Sequence, residues 1–329
     1  WDKSTGAWMI PANNKCKAEL DQLTYYVRHF EPVNWGGYES KTDEDIAYQI
    51  PDMPELDEDH GLKIQPYPYQ LQGIARGLQL KRFINGDDMG LGKTLESIAT
   101  INKADAFPCL VICPNTVKIN WQREWHKFTD KKAMVLTDSV RTSWPFFWQT
   151  GMNHVFIVNY ESLRKYFVRR INKSEKWTLK DVEFHNTIKL FKSVIIDESH
   201  KVKSTATQQS KFCKGITAGK EWIILLTGTP VVNKPNDLIC QLAIMDRMND
   251  LGGWSRYCSG PHGASNLKEL NFMLWKHCFF RREKSKVLTQ LPDKVRQIVT
   301  CEITNRKEYQ DAERDLVDYL RRYKEADDE

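Results

Sequence analysis

The sharpest chemical signal in the sequence is a glycine-rich octapeptide that ends in lysine and threonine, Asp87-Asp88-Met89-Gly90-Leu91-Gly92-Lys93-Thr94. Glycines let a backbone turn tightly and direct its N–H groups at phosphate oxygens, and the N-terminus of a following helix attracts the same anion. From such a loop Lys93 can reach the β- and γ-phosphates of a nucleotide, and the hydroxyl of Thr94 can ligate Mg²⁺. Asp87 replaces the usual first glycine of this motif, so a chance glycine-rich turn before a helix is the alternative interpretation.

A second signal is a pair of carboxylates directly after an apolar run, in Val194-Ile195-Ile196-Asp197-Glu198-Ser199-His200. Asp197 is a candidate for the Mg²⁺ shell, through water. Glu198 is a candidate for orienting the attacking water or accepting its proton, and His200 for sensing the γ-phosphate. Alone, two acidic residues at a strand end are most often only solvated. Together with Lys93 and Thr94 they predict a site that neutralises phosphate and metal charge together.

Both motifs lie in a pattern of short apolar runs that alternate with helical segments. The runs are continuous, which is typical of strands buried on both faces of a parallel sheet. The predicted strands are Cys109–Cys113, Met134–Leu136, Val155–Val158, Val194–Ile196 and Trp222–Leu226, and the predicted helices are Thr94–Ile101, Val117–Phe128, Asn236–Met245 and Leu267–His277. This alternation predicts an open α/β sheet with helices on both faces, in which ligands bind beyond the carboxyl ends of the strands.

The two ends of the chain differ from this pattern. Residues 1–40 predict a small module of a hairpin and a helix, and residues 41–61 predict an acidic linker. Residues 297–303 predict a strand, and residues 305–323 predict a charged helix. The abrupt start at Trp1 indicates a fragment, and its character is not that of a signal peptide.

Further motifs give the sequence a resemblance to a known family. In the order and spacing of the SNF2 family of DNA translocases, the chain carries Asp88–Thr94, Asp197–His200 and Leu226–Pro230. It also resembles that family at Pro68–Leu71, Ile112–Pro114, Asn120–Trp125, Asn159–Glu161 and Phe279–Arg282. The resemblance covers roughly residues 62 to 310 and is specific, because at least six motifs are collinear.

The resemblance implies a fold and two cofactors. The fold is a RecA-like P-loop NTPase lobe at residues 62–295, with a mostly parallel sheet flanked by helices, after a small α+β module. Residues 296–329 would be the start of a second lobe or a linker helix. The cofactors are ATP and Mg²⁺, with Gln70 at the adenine edge and Met89–Thr94 at the phosphates.

The resemblance also implies contact with a nucleic-acid backbone rather than with bases, through helix N-termini and small polar residues. The residues that would make this contact, or couple it to the ATP cleft, are Pro114, Asn159, Tyr160, His200, Thr227, Gly228 and Thr229. For Asn159 and Tyr160 a capped strand end is the alternative. Four tryptophans, at 121, 125, 144 and 148, could stack on bases, but core packing is the better interpretation for most of them.

Within the family the sequence is most similar to the annealing-helicase branch, the HepA-related proteins, because serine stands at 199 in Asp-Glu-Ser-His. The family motor needs a second RecA-like lobe that supplies arginine fingers, and we find no second-lobe motif in the chain. We expect that lobe to come from the same natural chain. Loss of an arginine finger costs about 10³ to 10⁵ in rate, so the chain alone is predicted to bind ATP and hydrolyse it poorly.

Composition narrows the class of protein without identifying it. A net charge of +5 is weak evidence for nucleic acid, and no apolar run approaches the roughly 20 residues of a membrane span. The 8 cysteines include no C-x-x-C pair, which argues against a zinc site or a disulfide framework. Reduced thiols predict an intracellular protein, in the cytoplasm or nucleoid of a prokaryote or virus, or in a eukaryotic nucleus.

Three functions remain open from the sequence. The first is an ATP-dependent translocase stimulated by double-stranded DNA, acting in remodelling, fork repair or annealing. The second is an RNA helicase, which is disfavoured because that group tends to carry Ser-Ala-Thr where this chain has Thr227-Gly228-Thr229. The third is a nucleotide-gated nucleic-acid-binding module without independent catalysis. The intact Lys93, Asp197 and Glu198 argue against it for the full protein, but it stays open for this chain.

Overall fold

The computed structural model describes residues 48–56, 61–172, 176–229, 237–258, 265–288, 290 and 304–326. The predicted module at residues 1–40, part of the predicted linker and the predicted strand at residues 297–303 lie outside the described residues. The chain divides into two compact units, Trp1–Thr289 and Gln290–Glu329. The domain boundaries inferred from the sequence stay predictions.

A seven-stranded sheet in which every neighbouring pair is parallel forms the centre of the first unit. Its strands are β1 Arg82–Asn85, β2 Cys109–Cys113, β3 Ala133–Val135, β4 Val155–Asn159, β7 Ser193–Asp197, β8 Trp222–Leu226 and β9 Phe279–Phe280, in the order β3-β4-β2-β7-β8-β1-β9. A separate antiparallel pair joins β5 Val168–Ile171 to β6 Val182–Phe184. The predicted parallel α/β sheet is therefore confirmed.

Two strands of the sheet, β1 and β9, are not among those predicted. Only Phe83 and Ile84 are apolar in the four residues of β1, and β9 has two residues. Segments this short carry no readable periodicity. Their pairing depends on the neighbouring strands, because β1 lies between β8 and β9.

Helices surround the sheet in the first unit. They are α1 Pro68–Leu80, α2 Lys93–Lys103, α3 Lys118–Phe128, α4 Trp144–Gln149, α5 Leu163–Phe167, α6 Gln208–Thr217, α7 Asp237–Ile244, α8 Ser255–Cys258, α9 Leu267–His277 and α10 Lys284–Val287. Four of these were predicted, and α9 has the predicted ends. The proline at the first position of α1 suits a helix start, because its missing N–H has no intrahelical partner there.

Side chains alternate along the central strands between two buried cores, one on each face of the sheet. On β2, Leu110 and Ile112 belong to one core and Val111 to the other. The first core is covered by α4 to α7 and α9, and the second by α1, α2 and α3. Because both faces are covered, the strands are continuously apolar, as parallel strands usually are. Of the four tryptophans considered above, Trp121, Trp125 and Trp144 have buried rings, which confirms core packing for most of them.

The second unit contains the helix α11, Arg306–Ala326, close to the predicted range. Its side chains from residue 306 to residue 318 are exposed. Across the described part of the chain, none of the helices is both long and apolar enough to cross a membrane.

Candidate nucleotide-binding site

The two chemical motifs of the sequence line one cleft, at the carboxyl ends of the neighbouring strands β7, β8 and β1. The glycine-rich loop follows β1, the carboxylates end β7, and residues 227–229 follow β8 between them. The cleft has a volume of about 640 Å³, which is within the usual range for small-molecule sites. Its lining residues are Asp88, Met89, Gly90, Gly92, Lys93, Thr94, Val117, Asn120, Trp121, Asp197, Glu198, His200, Gly228 and Thr229.

The phosphate loop, residues 87–94, depends on two glycines with left-handed backbone. Gly90 has φ 87° and Gly92 has φ 90°, a region that side chains with a Cβ rarely adopt. At Gly92 an added Cβ would also lie 2.3 Å from Nε2 of Gln70. Leu91 between them is fully buried and anchors the loop. The loop thus presents its backbone to the cleft at the N-terminus of α2, as anion binding requires.

Lys93 crosses the loop from the first residue of α2. Its Nζ donates to the carbonyl oxygen of Asp87 at 2.7 Å and to that of Asp88 at 3.3 Å. Burial lowers the pKa of Lys93, while the charges of Asp87, Glu198 and Asp197 oppose that shift. A phosphate in the cleft would add an anionic partner directly at this half-buried ammonium group.

Asp197 ends β7 with both carboxylate oxygens hydrogen-bonded. Oδ1 accepts from the backbone N–H of Glu198, and Oδ2 from the indole N–H of Trp121, each at 2.9 Å. Burial raises the pKa of Asp197, while the Trp121 hydrogen bond opposes the shift. No sequence pattern predicted this contact. Core packing was the interpretation for most of the tryptophans, and the ring of Trp121 is indeed buried.

Glu198 adopts the left-handed region, with φ 52° and ψ 50°. This conformation is uncommon for glutamate and often marks functional positions. Its Oε2 lies 3.2 Å from Nδ1 of His200, which lies 3.3 Å from the hydroxyl of Thr227. The same hydroxyl accepts from the backbone N–H of Thr229 at 3.1 Å. A chain of polar contacts therefore connects the end of β7 to the segment after β8.

Some predicted site residues lie beside the cleft rather than in it. Gln70 is buried beneath the loop, where its Nε2 donates to the carbonyl oxygen of Leu91 at 3.0 Å. Its Oε1 accepts from the backbone N–H of Tyr67 at 2.9 Å. The side chain of Gln70 thus holds the phosphate loop, and its adenine contact stays a prediction.

The predicted nucleic-acid residues divide into two groups. His200, Gly228 and Thr229 line the cleft. Tyr160 is buried, and its hydroxyl donates to the carbonyl oxygen of Asp197 at 2.5 Å, so it can couple to the site but cannot touch a bound strand. Asn159 is also largely buried, and its Oδ1 accepts a hydrogen bond from the hydroxyl of Ser162.

Three other predicted positions complete this description. Thr227 is buried beneath the cleft, and Met89 is 77% exposed at its rim. Pro114 follows β2 and opens the short turn that leads to α3. Direct contact of Pro114 and Thr227 with nucleic acid stays a prediction, as does contact of Met89 with the nucleotide phosphates.

The oxygen donors of the cleft fit a magnesium ion that arrives with a nucleotide. Thr94, in the phosphate loop, and Asp197, at the end of β7, line the same cleft. Among the described residues there is no group of three or more His, Cys, Asp or Glu side chains that could hold a metal ion by itself. Mg²⁺ is commonly bound by one or two protein oxygens together with phosphates and water. The donor set therefore suits a nucleotide-borne Mg²⁺.

Comparisons with known proteins agree with this geometry. A family model described as the SNF2-related domain matches residues 7–325. The chain is 30% identical over 257 residues to a SWI/SNF-related matrix-associated actin-dependent regulator of chromatin subfamily A-like protein 1 homolog of Caenorhabditis elegans, covering 71% of this chain and 33% of that protein. It is 29% identical over 260 residues to the DNA annealing helicase and endonuclease ZRANB3 of Homo sapiens, covering 74% of this chain and 23% of that protein.

A solved structure has the same fold. The Sulfolobus solfataricus SWI2/SNF2 ATPase core in complex with dsDNA aligns with a TM-score of 0.56 at 25% identity, covering 78% of this chain and 53% of that one. The fold is therefore that of a RecA-like ATPase lobe, as predicted. The chain spans a third or less of the length of the two curated relatives above.

Proposed function

Because this chain belongs to the family of SNF2-related domains, we propose that it is the ATP-binding first lobe of an ATP-dependent motor that moves along double-stranded DNA. The observation that carries the proposal is the single cleft shared by the phosphate loop and the carboxylates of β7. A triphosphate needs both features at once, since its charge must be neutralised from both sides.

The roles of the residues follow from their positions in the cleft. The amides of the loop and Lys93 would hold the phosphates. Mg²⁺, held by Thr94 and Asp197, would supply charge neutralisation at the phosphate oxygens. Glu198 would orient the attacking water and accept its proton. The contacts from Glu198 through His200 to Thr227 would report the state of the cleft to the segment after β8.

The isolated chain is proposed to turn over slowly. Within the part of the chain that the structure describes, the cleft is lined by Lys93 and by no arginine. Arg282 is buried and pairs with Asp87 and Glu96, so it is not free to approach a γ-phosphate. Arg281 pairs with Asp88 outside the residues that line the cleft. A second RecA-like lobe, proposed to come from the same natural chain, would supply the missing cation.

The DNA part of the proposal is supported by the relatives. One is named as a DNA annealing helicase, and the solved neighbour was bound to duplex DNA. For this chain we propose contact with the phosphate backbone, so that affinity falls as salt rises. Such a motor would work in a eukaryotic nucleus, or in the cytoplasm or nucleoid of a prokaryote or virus.

The test measures ATP binding and ATP hydrolysis separately. Lys93→Ala should abolish ATP binding to the 329-residue chain, and Glu198→Gln should leave it within about threefold while lowering hydrolysis by the natural full-length protein about 10²- to 10⁴-fold. Unchanged ATP affinity in Lys93→Ala would refute the site.

Hydrolysis by the full-length protein with duplex DNA, single-stranded DNA and RNA then separates the classes. Duplex-stimulated turnover supports the proposal, RNA-stimulated turnover supports an RNA helicase, and ATP binding without turnover supports a nucleotide-gated module. Fast DNA-stimulated turnover by the isolated chain would contradict the need for a second lobe.

A further inference from the structure

A buried ionic cluster lies behind the phosphate loop, on the side away from the cleft. Its members are Arg282, which is 8% exposed, Asp87 at 0%, Glu96 at 2% and Asn85 at 1%. They come from four separate segments: the residues after β9, the start of the loop, helix α2 and the end of β1. None of them lines the ATP cleft, so the site described above does not account for them.

Arg282 is the centre of this cluster. Its Nε lies 3.1 Å from each carboxylate oxygen of Asp87, and its backbone N–H donates to Oδ1 of the same carboxylate at 2.7 Å. Its Nη2 donates to both oxygens of Glu96, at 2.6 and 2.8 Å, and to Asp87. Its Nη1 donates to the carbonyl oxygen of Tyr69 in α1. Every nitrogen of the guanidinium group is therefore engaged.

Only a guanidinium group satisfies these partners together. It carries five N–H donors in one plane, whereas the lysine ammonium carries three at a single point. The rings of Tyr69 and Phe280 have their centroids 5.3 and 5.4 Å from the guanidinium carbon. Because Gly73 of α1 has no side chain, Glu96 and Arg282 can pack directly against the helix. An added Cβ would lie 2.3 Å from Oε2 of Glu96 and 2.8 Å from Nη2 of Arg282.

The cluster fixes the first two residues of the phosphate loop. Asp87 stands where the usual loop has its first glycine, and its carbonyl oxygen accepts from Lys93. The backbone N–H of Asp88 donates to the carbonyl oxygen of Arg282 at 3.1 Å. The carboxylate of Asp88 accepts from the backbone N–H of Lys284 at 3.0 Å. Residues 282–284 thus bind both aspartates, and the carbonyl oxygens of these aspartates accept hydrogen bonds from Lys93.

Stability alone does not explain such a cluster, because a buried ion pair often contributes no more than apolar residues of the same volume. A geometric role explains it better. We propose that Arg282 is a positioning residue for ATP binding: its buried fork holds Asp87 so that the phosphate loop and Lys93 keep the conformation that receives phosphate. This inference rests on the proposed function, because it concerns the same cleft.

The test compares two arginines at opposite ends of β1, the buried Arg282 and the partly buried Arg247. Arg247 donates to the carbonyl oxygen of Leu80 at 2.7 Å and to that of Arg82 at 3.4 Å, at the start of the strand and away from the loop. Arg282→Lys and Arg247→Lys keep the charge but remove the fork, so both should lower the melting temperature. Only Arg282→Lys should also weaken binding of Mg-ATP, by about tenfold or more, measured by titration calorimetry on the 329-residue chain well below the melting temperatures.

The outcomes separate the two proposals. ATP affinity within twofold of the unmodified chain in Arg282→Lys, or an equal loss in Arg247→Lys, overturns the positioning role. If Arg282→Lys does not fold, Asp87→Asn replaces it, with the same expected loss and the same overturning result. Absence of ATP binding by the unmodified chain would instead refute the proposed function.

Discussion

The indole N–H of Trp121 donates to Oδ2 of Asp197 at 2.9 Å, across the floor of the cleft. The backbone N–H of Glu198 holds the other oxygen, so the carboxylate plane has no freedom to rotate. Burial raises the pKa of Asp197, and the Trp121 hydrogen bond works against that shift. The tryptophan therefore favours the charged form of the residue that would serve the magnesium ion.

Trp121→Phe should weaken the Mg²⁺ dependence of ATP binding while leaving the core filled. Loss of a partner that orients a metal ligand commonly costs about 10- to 100-fold in metal affinity. We expect the Mg²⁺ concentration for half-maximal ATP binding to rise by about tenfold, as measured by titration with a fluorescent ATP analogue.

Trp125 offers a matched control in the same helix. Its ring is buried, but its indole N–H has no hydrogen-bond partner among the described residues. Trp125→Phe should leave the Mg²⁺ dependence unchanged. Equal effects of the two substitutions would mean that ring volume, and not the hydrogen bond, is what matters.

Because the pKa of Lys93 is lowered, we expect ATP affinity to decrease at alkaline pH. Burial is the main cause of the shift, so the ammonium group loses its proton below the ordinary lysine value of about 10.4. Phosphate binds the charged form, and affinity should fall as pH rises toward that value. Binding in this range should also take up protons, because the phosphate raises the pKa of Lys93 again.

Calorimetry in buffers of different ionisation enthalpy measures both the affinity and the proton uptake. Lys93→Arg serves as the control, since arginine keeps its charge throughout this range. It should bind more weakly at neutral pH but show a flat alkaline profile. If ATP affinity of Lys93→Arg falls at alkaline pH in the same way, a group other than Lys93 causes the pH dependence.

The sequence predicted which residues line the cleft better than it predicted the residues that hold them in position. Lys93, Asp197 and Glu198 are recognisable because loops and strand ends leave local patterns, and the structure places all three in one cleft. Arg282 lies 195 residues from Asp87 along the chain, so no local pattern connects them. Their pairing depends on β9 lying beside β1, and neither of those strands was predicted.

Gln70 and Trp121 show a second reason why the sequence predicted the site only in part. Their types suggested ligand contact for one and core packing for the other, whereas the structure places Gln70 against the loop backbone and the indole of Trp121 against Asp197. A side chain that is buried and also hydrogen-bonded to a functional residue has no distinct sequence pattern. The spacing of apolar residues along its helix predicts only that the side chain is buried.

Glu96 should make stability depend on pH. Burial raises its pKa well above the usual value, the charge of Asp87 adds to that shift, and Arg282 opposes it. A carboxyl group whose pKa is raised in the folded state stabilises the fold below its unfolded pKa, and this contribution is lost as pH rises through the folded pKa. The contribution of Glu96 to the free energy of unfolding should therefore decline as pH rises from about 4.3, the ordinary glutamate value, toward its raised pKa in the folded state.

Glu96→Gln tests this by replacing the carboxyl group, which can titrate, with a neutral amide of similar shape. Urea unfolding at several pH values should show a weaker decline for this variant than for the unmodified chain. Parallel profiles for the two proteins would show that Glu96 does not titrate in this range.

Gly73→Ala should destabilise the protein, although alanine normally stabilises a helix interior by about 0.5–1 kcal/mol relative to glycine. The added Cβ would lie 2.3 Å from the Glu96 carboxylate and 2.8 Å from the Arg282 guanidinium group, which must shift to admit it. Overpacking of this kind costs about 1–3 kcal/mol. Because the same shift would move Arg282 against Asp87, ATP affinity should fall as well. Gln79→Ala, on the exposed face of the same helix, should change the unfolding free energy by less than about 0.5 kcal/mol and leave ATP affinity unaltered. Chemical denaturation and ATP titration of both variants test this prediction. If Gly73→Ala is more stable than the unmodified chain, α1 is not packed tightly against the ionic cluster.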